Sequence, residues 1–523
     1  MKIIFKDSGK EAELVKGKTI LSYLQELGIE INASCGGEGK CGQCLVEVDS
    51  ASEALSDKTE AEHTFIPDDG HRLACQATIV KTDEEHIYVR VPRRSYCILE
   101  SGEFWEIPVE PFVHLEGGRV FYESEDVGEY AGGLNGIALD IGTTTLAMYL
   151  VDLETGAVLS IISRENPQTK YGNNVISRIE FARKGQEILE REIRTAVNEM
   201  ITAMVEPGKV YEIVVVGNPV MRDLFFGYSV ESLGKSPYEP LDVEAVQKTT
   251  KELGITENPK ARVYGLPLIG SFVGADTLAL VLATEMYKNE KISMAIDIGT
   301  NTEIVLGNND KLIATSCAAG PAFEGCSIAY GMGGVSGAIK EVRIEEDGNV
   351  RYKTVGDALP VGVCGSGLID MLAELLDKQI INGRGKFRGT EKEFRIVEEI
   401  GLSEKDIDQL NLAKTAVAVG IKTLIERYGV AIDEIDCVYL AGAFGYFINV
   451  ENAMRIGLLP TIELDKVEKV GNAAIEGARQ ALISKTKRED AETAAKMIEH
   501  VKLEEEANFM EKFVGELYFR NYL

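Results

Sequence analysis

Near the N-terminus, apolar positions come in short runs separated by charged residues. Ile3 to Phe5 and Glu11 to Val15 predict two strands, and Leu21, Leu24 and Leu27, three residues apart, predict a short helix. Leu45 to Val48 and Ile87 to Val91 predict further strands, the last stopped by Pro92, with the run Arg72-Leu73-Ala74-Cys75 between them. This order suits a small α+β domain over residues 1–92. From 93 to 135, Pro108, Pro111, Gly117-Gly118 and Gly132-Gly133 interrupt every periodic pattern, which predicts a connector with at most a small hairpin.

From 136 to 523 apolar strands alternate with long amphipathic helices. Ile193, Val197, Met200, Ile201 and Met204 share one helical face, and the strand Glu212 to Val216 follows. Such alternation indicates an α/β domain. The segment GIALDIGTTTLAMYLVDLETG at Gly136 is echoed by SMAIDIGTNTEIVLGNNDK at Ser293. Each is an apolar strand, an Asp-x-Gly-Thr turn and a second strand, so two related halves are expected, about 136–290 and 291–523.

Composition narrows the function. The chain has 523 residues, enough for several cores, and a formal charge of −29 that repels phosphate backbones and anionic lipid. Nucleic-acid and membrane partners are therefore not expected. The charged opening MKIIFKDSGKEAELVKGK offers no secretory apolar stretch, so a cytoplasmic location is the expectation.

Nine cysteines without an export signal point to metal ligation rather than disulfides. Cys35, Cys41, Cys44 and Cys75 are spaced C-x5-C-x2-C with one distant partner, and Gly36, Gly37, Gly39 and Gly42 let a loop wrap a cluster while its N–H groups reach sulfur. Zinc is the competing ligand, but its sites usually pair two Cys-x2-Cys units. The arrangement resembles the [2Fe-2S] ferredoxins and implies a β-grasp fold, with the x5 spacing of adrenodoxin-like members. Asp69-Gly70-His71-Arg72-Leu73-Ala74 nearly matches a corrinoid-binding Asp-x-His-x-x-Gly motif, but it ends in Ala74 beside a cluster cysteine and is read as coincidence. Cys97, Cys317, Cys326, Cys364 and Cys437 lack ligand spacing and are expected to be buried and inert. His63, His86, His114 and His500 form no cluster.

In each Asp-x-Gly-Thr turn the glycine lets N–H groups approach an oxyanion, the hydroxyls add donors, and the aspartate can organise Mg2+ or its waters. Asp140, Gly142, Thr143, Thr144 and Thr145 form one turn, and Asp297, Gly299, Thr300, Asn301 and Thr302 form the other. Asp140 and Asp297 are the candidate catalytic residues. No Walker A sequence competes. The pair resembles the superfamily of actin, the acetate and sugar kinases and the heat-shock ATPases, which implies a duplicated actin-like fold holding ATP in a cleft. Gly320 in CAAGPAFEG and Gly365, Ser366 and Gly367 in VCGSGLID are further candidates for that cleft. Gly442, Ala443 and Gly445 in YLAGAFG resemble the superfamily's adenosine-covering turn.

The ordered segments ALDIGTTT, NPQTKYGNNVISRI, VVGNPVM, SFVGADT, AIDIGTNTEI, SCAAGPAFEG, VCGSGLID and LAGAFG carry a closer resemblance, to the reductive activators of corrinoid proteins. It implies an ATP-hydrolysing electron-transfer protein that returns the Co(II) corrinoid of a partner methyl-transfer protein to Co(I). A corrinoid-containing protein and an upstream electron donor are then its partners, and a homodimer is implied. The connector is shorter than in larger members. Three other readings remain on the residues alone: an activator of a 2-hydroxyacyl-CoA dehydratase, a small-molecule kinase with a redox-sensing domain, and a binding module using ATP only as a structural ligand.

Overall fold

The computed structural model describes residues 2–29, 31, 37, 39, 44–49, 54–66, 70–82, 86–91, 105–398 and 400–519. At the N-terminus a five-stranded sheet runs Glu11–Glu13, Lys2–Phe5, Ile87–Arg90, Leu45–Asp49, His71–Leu73. Lys2–Phe5 and Ile87–Arg90 are parallel and the other pairs antiparallel, a β-grasp arrangement. The helix Ile20–Glu26 is capped by Thr19, whose hydroxyl accepts from the Ser22 N–H at 3.2 Å. It buries Ile20, Leu21, Tyr23 and Leu24 in one core with Ile3, Phe5, Val46 and Val89.

Two local differences from expectation have physical causes. The second strand stops at Glu13 rather than Val15, because the Val15 N–H donates to the Tyr23 hydroxyl at 2.6 Å instead of to a neighbouring strand. An unexpected helix, Glu60–Phe65, opens with a Thr59/Glu62 capping box. The buried Glu62 carboxylate then accepts from Arg72 at 2.8 and 3.1 Å and from the Leu73 N–H at 3.0 Å, fixing the strand that leads to Cys75.

Beyond the connector stand two six-stranded sheets of matching design. The first begins Val158–Glu165, Thr145–Asp152, Asn135–Ile141, Val210–Gly217, Arg262–Gly265. The second contains Leu312–Cys317, Thr302–Gly307, Ser293–Ile298, Cys437–Ala441, Val467–Gly471 in the equivalent order. In both, three antiparallel strands are followed by strands parallel to the first. This is a duplicated actin-like fold. Register places Asp140 beside Val216 and Asp297 beside Ala441, so each aspartate sits at the end of a strand where a parallel neighbour also ends. The fifth strand of each half leads to a helix, Ala275–Thr284 in the first and Ala473–Ile483 in the second, and these two helices share a central core.

The stretch expected to be an irregular connector is largely structured from Trp105 onward. Val113–Glu116, Arg119–Tyr122 and Glu125–Glu129 form a three-stranded antiparallel sheet, and Val113, Val120 and Val127 are buried in the central core. Gly117-Gly118, expected only to interrupt, is the turn between its first two strands, with φ of +57° and +80°. Upstream, Arg479 of the Ala473–Ile483 helix donates to the carbonyls of Trp105 at 2.8 Å and Gly156 at 3.0 Å.

Candidate functional site

Of the four cysteines expected to hold a cluster, Cys44 and Cys75 are placed, and Cys35 and Cys41 lie outside the described residues, as do Gly36 and Gly42. Cys44 immediately precedes Leu45–Asp49, and Cys75 follows His71–Leu73, which pairs with that strand. Both thiols are buried, and the Ala74 N–H donates to the Cys44 carbonyl at 2.8 Å. Hydrogen bonding from Cys44, aided by Gln76 and opposed by burial, pulls the Cys75 thiol down to about 6. Gln76 donates from one amide nitrogen to Cys75 Sγ at 3.5 Å and to the Gly37 carbonyl at 3.2 Å, tying the loop to the second cysteine. Adjacent thiols, with Cys75 biased toward thiolate and an amide donor on its sulfur, are a donor set that fits an iron-sulfur group.

The second site is a cavity of about 540 Å³ between the two actin-like halves. Its floor is the pair of hairpins. In the first the Gly142 N–H donates to the Thr145 carbonyl at 2.9 Å, and in the second the Gly299 N–H donates to the Asn301 carbonyl at 3.1 Å. The first hairpin is held from behind. Asn166 donates through Nδ2 to the Gly142 carbonyl and through its backbone N–H to the Thr144 carbonyl, both at 2.8 Å. Arg178, fully buried, donates to the Thr143 carbonyl and to the Gly172 carbonyl at 3.0 Å. Burial lowers this guanidinium to about 9, against the pull of Glu165, and it still presents positive charge behind the turn at neutral pH.

Asp140, Asp276 and Asp297 face this cavity together. Burial, reinforced by Asp276 and Asp297, pushes the Asp140 carboxyl up to about 8, opposed by Asn472, which donates to it at 3.4 Å. Burial and Asp276 push Asp297 up to about 7, and burial pushes Asp276 up to about 6. Burial likewise raises Glu303, which accepts from the Ser316 hydroxyl at 3.0 Å. Mutually repelling carboxylates buried around one cleft need a cation to ionise together. Among the described residues no three acid, histidine or cysteine side chains converge closely enough to cage a metal ion.

The far wall combines a stacked ring pair with polar side chains. Phe323 and Phe444 stack with centroids 5.5 Å apart, and Gly365, Ser366, Lys340 and Gly442 complete it. Gly442 has φ +80°, and a Cβ there would lie 2.6 Å from an Asp297 carboxylate oxygen, so no other residue lets the chain pass the aspartate in this way.

The cavity thus gathers Asp140, Gly142, Thr143, Thr144, Thr145, Asp297, Gly299, Thr300, Asn301, Gly365, Ser366 and Gly442 from among the expected residues. Thr302, Gly320, Gly367 and Gly445 do not line it. Thr302 is a buried strand residue paired with Cys317, and Gly320 supports the second hairpin from outside through its N–H to the Thr300 carbonyl at 2.9 Å. Gly367 packs its helix against the Ile339 carbonyl, and Gly445 lies inside the short helix Gly442–Phe447 that also contains Ala443. Cys364, expected to be inert, is buried but lines the cavity.

Sequence reasoning missed Asn218, Asp276, Glu324 and Asn472 as cleft residues. Asn218 caps the helix Pro219–Phe226 and donates to Thr143 Oγ1 at 3.0 Å, a place the Asn-Pro pair signals. Asp276 lies in SFVGADT and Glu324 in SCAAGPAFEG, segments that carry the family resemblance without showing which side chain turns inward. Asn472 caps Ala473–Ile483 and had no distinguishing motif.

A β-grasp ferredoxin domain joined to a duplicated actin-like domain defines a protein that couples an iron-sulfur group to a nucleotide cleft. Residues 3–80 match the 2Fe-2S iron-sulfur cluster binding domain, 135–289 the RACo middle region, and 291–522 the C-terminal domain of RACo, the ASKHA domain. The chain is similar to the corrinoid activation enzyme RamQ of Eubacterium limosum, 30% identical over 602 aligned positions that cover 98% of each chain. It is also similar to the [Co(II) methylated amine-specific corrinoid protein] reductase of Methanosarcina barkeri, 27% identical across 73% of this chain and 76% of that one. The solved structure of a reductive activator for corrinoid, iron-sulfur protein superimposes with a TM-score of 0.73 at 30% identity, covering 99% of this chain and 98% of the other. The chain belongs to the family of reductive activators of corrinoid proteins.

Proposed function

We propose that this chain is an ATP-dependent reductive activator that delivers an electron from a [2Fe-2S] group to the Co(II) corrinoid of a partner methyl-transfer protein, restoring Co(I). The observation that carries this reading is the presence in one chain of both a paired-thiol pocket and a two-hairpin cleft, collinear with a corrinoid activation enzyme over 98% of the length. When held by Cys35, Cys41, Cys44 and Cys75, the cluster supplies a single low-potential electron. Co(I) is a strong reductant, and each 100 mV by which it lies below the donor costs about 2.3 kcal/mol per electron. Coupling to ATP offsets that gap.

The residues of the cleft divide the work. Gly142, Thr143, Thr144, Gly299, Thr300 and Asn301 receive the phosphates, with Arg178 adding positive charge behind the first turn. Asp140 and Asp297, on opposite halves, organise Mg2+ and its waters, and the cation relieves their repulsion. Phe444, Gly442 and Ser366 cover the adenosine. Because the phosphates touch both halves, ATP favours a closed cleft and ADP a looser one, and the two states differ in affinity for the Co(II) partner. The chain works in the cytoplasm as a homodimer and takes electrons from a separate donor. Among the described residues no helix is long and apolar enough to cross a membrane.

The test is anaerobic visible spectroscopy of a Co(II) corrinoid protein mixed with the reduced, cluster-loaded chain. The Co(I) band is expected only when ATP is added. Transfer of the ATP γ-phosphate to a small-molecule acceptor, with no Co(I), would replace this reading with a kinase.

A further inference from the structure

The two hairpins meet across the cleft, with the Thr144 and Thr300 hydroxyls 3.5 Å apart, and one carboxylate lies on both. Glu324 Oε1 accepts from Thr300 Oγ1 at 2.7 Å, and Oε2 accepts from Thr144 Oγ1 at 3.5 Å. The Thr300 backbone N–H adds to its stabilisation in the charged form. An anion therefore occupies the junction where two halves would receive the terminal phosphate. Among the described residues no cation pairs with it.

The backbone of Glu324 is anchored. It ends the turn Pro321–Glu324, which is closed by the Gly325 N–H on Ala322 at 3.0 Å and the Cys326 N–H on Pro321 at 3.1 Å. Phe323 beside it is fixed against Phe444. When phosphate arrives, the threonine hydroxyls and the Thr300 N–H have a better acceptor, and the carboxylate loses its donors while its backbone stays in place. One molecule satisfies what remains: a water that donates to Glu324 and presents its oxygen to phosphorus.

We propose that Glu324 holds and deprotonates the water that attacks the terminal phosphate of ATP. The water oxygen bonds to the γ-phosphorus as the bond from that phosphorus to the β,γ-bridging oxygen breaks. ADP departs with the bond's electron pair, and the proton passes to a Glu324 oxygen and then to the phosphate product or solvent. Asp140 and Asp297 face Asp276 and serve the metal ion instead, so general-base and metal duties fall on different carboxylates. Burial holds the Glu324 carboxyl above the usual carboxylate range, which improves it as a base.

This inference rests on the nucleotide reading of the cleft, and the experiment separates the two. Full-length Glu324→Gln and Glu324→Asp are compared with the wild type by calorimetric titration with ADP and by single-turnover ATP hydrolysis. Glu324→Gln is expected to bind ADP as the wild type does and to hydrolyse ATP about 100-fold more slowly or worse, with Glu324→Asp recovering part of the rate. Hydrolysis by Glu324→Gln within a few-fold of the wild type overturns the assignment, and so does a rate that falls only in step with ADP affinity. Should Glu324→Gln fail to fold, a rate loss in Glu324→Asp without loss of ADP binding supports the assignment, and an unchanged rate overturns it. A wild type that binds no nucleotide removes the reading of the cleft itself.

Discussion

Gly477 crosses the backbone of Ala279 so closely that a Cβ at Gly477 would lie 2.0 Å from the Ala279 carbonyl oxygen. The two residues belong to the equivalent helices Ala473–Ile483 and Ala275–Thr284, which pack the two actin-like halves together. Each helix begins in the cleft, one with Asn472 and the other with Asp276. The spacing at this crossing therefore sets how far apart the two hairpins stand.

Widening the crossing should weaken nucleotide binding from a distance. Gly477→Val forces the helices apart, at a cost of about 1–3 kcal/mol in packing. The expected outcome is a lower melting temperature and an ATP KM raised at least tenfold, while the visible spectrum of the loaded cluster stays unchanged. Calorimetric melting and ATP titration check both, and unchanged values would mean that the crossing does not govern the cleft.

Stability should fall as pH rises in the ligand-free protein. Asp140 and Asp297 are pushed up to about 8 and 7 from an ordinary value of 3.8, so between those limits the folded chain binds protons that the unfolded chain releases. Their contribution is fully present below about pH 4 and is lost as pH rises through 7 to 8. Melting temperatures recorded from pH 5 to 8.5 in chelator should decline. The decline should be shallower in Asp297→Asn and in wild type saturated with Mg·ADP, where the cation balances the charge. Identical slopes in all three would contradict this account.

The fold was legible where pattern and packing coincide. Apolar strands leading into Asp140 and Asp297 repeat in the sequence, and the same duplication appears in the matching sheet orders. The sheet at 113–129 was not legible, because its strands are short and the glycines that seemed to end structure are its turn. Likewise the hairpin residues could be read from Asp-x-Gly-Thr, but Asp276 and Asn472 are brought in by helix starts far away in sequence. Gly367 and Gly445 look like their neighbours Gly365 and Gly442 on paper. Which glycine of each pair meets the cavity depends on helix phase, and a short motif does not carry that.

The backing of the first hairpin gives a third expectation. Asn166 and Arg178 bind the carbonyls of Gly142, Thr143 and Thr144, which leaves the cleft side of the turn free for phosphate. Asn166→Ala leaves the Gly142 carbonyl without that donor, and Arg178→Gln also removes the charge. Both should raise the ATP KM, Arg178→Gln by at least tenfold and more than Asn166→Ala, with kcat less affected. Equal KM values for the two variants and the wild type would show that the turn holds its shape unaided.

The last expectation concerns Arg488, which joins the sheet at 113–129 to the first actin-like half. Its guanidinium lies 4.3 Å from the ring centres of both Phe112 and Tyr264, and it reaches the fully buried Glu212 at 2.7 Å and the Tyr122 hydroxyl at 3.1 Å. Two more donors end on the Ala481 carbonyl at 3.0 and 2.8 Å. Removing the cation leaves Glu212 charged in an apolar core, so Arg488→Met should cost about 3–5 kcal/mol. Burial already raises the Glu212 carboxyl against the pull of Arg488. Without that pull it rises further, so the loss should be smaller at pH 6 than at pH 8, because protonating the unpaired carboxylate becomes easier as pH falls. Adding Glu212→Leu should recover much of the stability, since the isolated charge is then gone. Urea denaturation of both variants at the two pH values decides it: equal losses at both, with no recovery in the double variant, would mean that ring packing rather than the ion pair makes this junction stable.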